Sequence, residues 1–116
     1  MRVLKDYIQT LHIMDAKLDE LRKSRKRFTE ADGKEATEIS GQETAISRIA
    51  AYIRLAIKHH GCFGSEDMAC VRIYADDAKE EANKPFNNPR VTWAVKGLAK
   101  GAAWACVRLE DRMMEP

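Results

Sequence analysis

Hydrophobic positions near the start of the chain recur at alternating intervals of three and four. Leu4, Tyr7, Leu11, Met14, Leu18 and Leu21 follow this rhythm, which then passes Arg25 and returns at Phe28. Such an a/d repeat places a narrow apolar seam along one side of a helix. It predicts a first helix over residues 2–30. Two readings of the seam stay open: coiled-coil-like pairing with another helix, or packing of an amphipathic helix on its own domain.

The rhythm breaks around Gly33. Ser40, with Glu43 three residues on, reads as a capping box. Ile46, Ile49, Ile53 and Ile57 then share one side with Ala50 and Ala56, and Lys58, His59 and His60 precede Gly61. Cations in a last turn followed by glycine end a helix, so a second helix is predicted over 40–60. After "GCFG", Ser65 reads as an N-cap, with Glu66 and Asp67 in the first turn. Met68, Val71, Ala75, Ala78 and Ala82 predict a third helix over 65–83, with Asp76, Asp77, Glu80 and Glu81 outside. "CVRIY" also alternates like a strand, but a lone strand has no visible partner. Asn88 before Pro89 combines a capping side chain with a proline where its missing N–H is harmless. It opens a fourth helix over 89–113. The loops at 31–39 and 84–88 are the expected mobile parts.

These elements predict an all-α fold, a small four-helix bundle-like domain with a long coiled-coil-like N-terminal helix. A length of 116 residues makes it a single helical domain, 1–116. Hydrophobic residues are 45% and charged residues 33%, a globular balance, and aromatics at 7% leave a core of aliphatics and alanine. A formal net charge of +2 argues against bulk electrostatic binding of nucleic acid. Three widely spaced cysteines, Cys62, Cys70 and Cys106, make a poor disulfide framework and suit a reducing compartment. The first residues hold no apolar signal core, and no apolar run nears the roughly 18 residues of a membrane helix. A cytoplasmic protein without membrane contact is expected.

The fourth helix carries the least ordinary pattern. Val91, Ala94, Leu98, Gly101, Ala102, Ala105 and Leu109 share a face of mostly small residues, fit for close helix contact within the chain or with a second copy. Together with the heptad seam, this face predicts a homo-oligomer. Trp93, Gly97, Trp104 and Arg108 form a flanking stripe, with Arg90 at the helix start. The stripe suits a planar ligand held by stacking, with arginine on its phosphates. It equally suits two tryptophans covering an apolar seam or an interface.

Other groupings are weaker. Arg22, Lys23, Arg25, Lys26 and Arg27 form a basic run that fits phosphates or an acidic partner, or else a solvated helix end. His59, His60, Cys62 and Cys70 lack the usual spacing of zinc ligands, so no metal site and no cofactor are expected. Cys62 has no visible orienting group for a nucleophile. Nothing positive points to an enzyme.

From Val71 to Leu109 the pattern "VRIYADDA…NNPR…A…L…A.WA…L" resembles the C-terminal half of the anti-CBASS sponges. These are small phage proteins that sequester cyclic-dinucleotide signals. The matching positions are Val71, Arg72, Ala75, Arg90, Leu98, Trp104 and Ala105, with a one-residue gap. The family's ligand contacts have no counterpart here, so none is carried over. The resemblance implies a helical homo-oligomer that binds a cyclic nucleotide between subunits. The expected function is therefore a non-enzymatic, phage-type counter-defence protein that sequesters a nucleotide immune signal. The alternatives are a protein–protein inhibitor or adaptor acting on a host complex, and a nucleic-acid-associated protein using the basic run.

Overall fold

The computed structural model describes residues 1–28 and 33–115. It is all-α apart from one two-residue ribbon. The order is β1 (Val3–Leu4), α1 (Tyr7–Arg25), α2 (Gly33–His60), α3 (Ser65–Ala82), α4 (Pro89–Arg112) and β2 (Met113–Met114).

The first helix begins five residues later than the apolar rhythm suggests. Asp6 caps it, its carboxylate accepting the Gln9 N–H at 3.0 Å. Val3 and Leu4 instead pair antiparallel with Met114 and Met113. The Leu4 N–H also reaches the Phe63 carbonyl at 2.8 Å. The ribbon thus fastens the start of the chain to its last helix and to the turn after α2. Leu4 and Phe63 are both buried there. The α-helical pairing ends at Arg25, and positions 29 and 30 of the predicted helix lie outside the described residues.

The second helix is longer than predicted. It starts at Gly33 and runs 28 residues, so Gly33 opens the helix rather than breaking it. Ser40 is therefore mid-helix and caps nothing; its carbonyl accepts the Thr44 hydroxyl at 3.0 Å. Glu43 turns across to Arg25 and Arg22 of α1. Of the loop expected at 31–39, residues 33–39 are helical, and 31 and 32 lie outside the described residues. At its other end the expectation holds: Gly61 adopts φ +77°, and its N–H closes on the Ile57 carbonyl at 2.9 Å.

At α3 the cap moves by one residue. Gly64 holds the N-cap position, and its N–H donates to the Asp67 carboxylate at 2.9 Å. Ser65 serves the fold differently. Its Oγ accepts the Arg2 N–H at 3.0 Å and lies 3.1 Å from the Arg2 carbonyl, tying the chain's start to α3. Asn88 and Pro89 start α4 as predicted, the Asn88 side chain accepting the Arg90 N–H at 2.9 Å.

The core runs through all four helices. Met14, Leu18 and Leu21 of α1 join Ala45, Ile46, Ile49, Ala50 and Ile53 of α2, Met68 and Val71 of α3, and Ala102, Ala105 and Leu109 of α4. The heptad seam of α1 is thus filled by the chain's own α2 rather than by a coiled-coil partner. The small-residue face of α4 is also filled internally. At Gly41 an added Cβ would lie 2.5 Å from the Ala94 carbonyl oxygen, and at Gly101 it would lie 2.6 Å from that of Gln42. At Gly97 it would collide with the Glu38 carbonyl. Three glycines therefore let the backbones of α2 and α4 touch, which brings many weak dispersion contacts into range. Val91, predicted on this face, is exposed instead. Both surfaces from which an oligomer was expected are occupied within one chain.

Candidate functional site

α4 carries the aromatic stripe, and the structure divides it. Gly97 does not belong to an open flank. It is buried against Glu38 at the α2–α4 crossing, so no ligand reaches its Cα. Trp93 and Trp104 are half-buried, Arg108 is half-buried and Arg90 is exposed. Eleven residues separate the indoles, about 16 Å along the axis at 1.5 Å per residue. One planar group cannot stack between them. The stripe has two ends, Arg90 with Trp93 and Trp104 with Arg108.

The Trp104 end is the more fully built. Trp104 packs against the core cluster from its edge. The Arg108 guanidinium lies 4.8 Å from the ring centroid, and Lys17 of α1 brings its ammonium to 5.7 Å. Arg108 is there because one turn of helix puts it beside Trp104. Lys17 arrives from a second element, because the a/d seam sets α1 across that end of the bundle. Lys17 also reaches Glu20 at 3.4 Å. The ring thus sits among two cations held by cation–π attraction. The flank thus gathers one aromatic face and two positive groups from two helices. The part played by Lys17 is invisible in the sequence, where it is simply a polar position on α1.

The basic run is partly neutralised. Glu43, only 13% exposed, accepts Arg25 Nε at 2.7 Å and faces Arg22 Nε at 3.6 Å. The hydrogen bond and charge of Glu43 raise the Arg25 pKa above its ordinary value. Arg22 also meets Asp19 at 3.5 Å. Lys23, Lys26 and Arg27 remain exposed at the end of α1. Two of the five predicted partner-binding cations thus brace α1 against α2.

A second feature is invisible in residue spacing. Between α2 and α3 lies a cavity of about 170 Å³ lined by Arg48, Ile49, Tyr52, Cys70, Val71 and Tyr74. Arg48 Nη1 donates to the Tyr74 hydroxyl at 3.3 Å, and the Tyr52 hydroxyl donates to Asp67 Oδ1 at 3.2 Å. The Tyr52 pKa lies well above that of a free phenol. The neighbouring Cys70 contributes most, then burial, then Asp67. Tyr52 also meets Phe63 edge-on, with centroids 6.1 Å apart. On α4, burial and Glu110 push the Cys106 thiol up, against the opposing charge of Arg72. That keeps it in the unreactive protonated form. All three cysteines are free. His59 and His60 are exposed at the end of α2, and among the described residues no three metal-ligating side chains gather. No helix is long and apolar enough to cross a membrane among the described residues.

Compared with known protein families, curated proteins and solved structures, the chain matches none.

Proposed function

We propose that this is a non-enzymatic binding protein that captures an aromatic anion, a nucleotide or cyclic nucleotide in class, at the α1–α4 flank around Trp104. The observation that carries this reading is the Trp104 ring with Arg108 at 4.8 Å and Lys17 at 5.7 Å, cations drawn from two helices. Stacking plus charge is how aromatic anions are held without base-specific contacts. The likeness of residues 71–109 to the anti-CBASS sponges makes a cyclic-dinucleotide immune signal the first ligand to try.

A panel of linear and cyclic nucleotides should include at least one that raises Tm and quenches tryptophan emission saturably. Trp104→Ala should weaken its binding at least about fivefold, since base–aromatic stacking is worth about 1–3 kcal/mol. A panel that moves neither signal refutes the reading.

The exposure of Lys23, Lys26 and Arg27 supports a second reading, a protein–protein inhibitor or adaptor that uses the end of α1. It expects a specific host partner in a pull-down, lost on replacing those three residues together. Should nucleic acid bind there instead, affinity falls steeply with salt.

A further inference from the structure

Between α2 and α3 the fold leaves an apolar groove open. Its floor is Ile49 and Val71, and its walls are Tyr52 and Tyr74. Each flanking helix carries one large exposed aliphatic side chain near the groove by helical position, Leu55 of α2 at 52% and Ile73 of α3 at 59%. The charges on the shoulders are unlike. Arg48 stands exposed on the α2 shoulder. On α3, Glu66 and Asp77 fall on the groove side by helical position, about one turn either side of Cys70 and Tyr74. Each rim thus pairs one aliphatic with one sign of charge, and the two rims are complementary to one another.

We propose that this groove docks a second copy of the chain, related by a two-fold axis running along the groove. The helices are antiparallel, with Arg48 level with Tyr74 and Tyr52 level with Asp67. A two-fold along the groove lays each α2 rim over the partner's α3 rim at the same level. Arg48 then faces the stretch that ends at the partner's Asp77, and Leu55 and Ile73 both leave water. A two-fold across the groove instead sets acidic rim on acidic rim, which like-charge repulsion disfavours. The size is adequate. α3 is 18 residues long, about 27 Å, and two adjacent helices are about 20 Å wide. A face of roughly 500 Å² in projection, larger as accessible surface, approaches the ~800 Å² that each side of a standard interface contributes. The heptad seam and the glycine face cannot serve, because α2 fills both.

The groove shares no residue with the Trp104 flank, so the interface stands or falls independently of ligand capture. Sedimentation equilibrium at tens of micromolar should give a dimer. Arg48→Glu and Asp77→Lys should each weaken it at least about tenfold, and the two together should restore it. Ile73→Ser should also shift the chain to monomer, while Ile8→Ser, an exposed change on α1, should leave the dimer intact. Circular-dichroism melting establishes that each variant is folded. A wild-type monomer at these concentrations, single charge variants that dimerise normally, or a double variant that stays monomeric overturns the proposal. If the Ile73→Ser monomer still binds nucleotide, the two sites are separate; if wild type dimerises but no nucleotide binds, only the functional reading fails.

Discussion

A methyl group at Gly97 has nowhere to go, because the Glu38 backbone already occupies its place. Unlike a flexible side-chain tip, a helix backbone cannot step aside without moving α2. Gly97→Ala and Gly101→Ala should therefore each destabilise the fold by about 1–3 kcal/mol, the usual cost of overpacking, read as a lower midpoint in urea. An unchanged midpoint for either would show that the backbones of α2 and α4 are not in contact there. Gly97 and Gly101 belong to one i, i+4 row that continues through Ala105 and Leu109, all buried. Such rows wind around the helix, inclined about 26° to its axis. A face drawn at fixed angle from Gly101 leaves Gly97 to one side, so residue spacing alone assigns it to the flank. Tyr52 supports a pH prediction. Its folded pKa lies above that of the unfolded phenol, so its contribution is complete below the unfolded value of about 10 and is lost as pH rises through the folded one. Stability should fall more steeply above pH ~10 in wild type than in Tyr52→Phe.

At the scale of elements, the parts legible in the sequence were those with local causes. The Asn88–Pro89 start of α4 and the Gly61 end of α2 depend on a few neighbouring atoms, and both are where the residues say. The start of α2 depends on a partner. Residues 33–40 carry no strong apolar period, and α4 holds them in place through Gly97, while Lys100 meets Glu38 at 3.2 Å. Ser40 and Glu43 have the spacing of a capping box, but Glu43 finds Arg25 across the bundle. Replacing it tests that brace. Glu43→Gln should cost less than about 1 kcal/mol, because its partners are exposed and salt screens such pairs. It should also strengthen and sharpen the salt dependence of any polyanion binding, by releasing Arg22 and Arg25. The opening strand was illegible for the same reason as the start of α2: Leu4 keeps the seam's rhythm yet packs as a strand residue beside Met113. Leu4 is 4% exposed, so Leu4→Ala should cost about 2–5 kcal/mol, the range for buried leucines. A cost under half a kcal/mol would show the ribbon to be dispensable.

Across the whole molecule, fold class was written in periodicity, whereas the tertiary neighbour of each face was not. Both surfaces that looked surplus in one dimension turned out to be one chain's own core. The open groove arises only when Tyr52 and Tyr74, from different helices, meet across a gap. Trp104 and Arg108 could be read as neighbours one turn apart; Lys17 needed the tertiary crossing of α1. Chemical labelling reads the same distribution. Cys70 is exposed, whereas Cys106 is half-buried with its thiol raised. An alkylating agent should therefore modify Cys70 well before Cys106 in the folded Ile73→Ser variant, where the groove stays open. Equal rates would contradict the packing of α3 on α4.

The ribbon of β1 and β2 has a topological use. It sets Val3 beside Met114, so the chain is already closed into a near-circle by paired backbone. Joining the two ends with a short flexible linker and opening the chain at the exposed residues 83–85 would give a circular permutant with every helix intact. In that molecule the stitch that now holds the two ends would become an internal hairpin, and α4 would be made first.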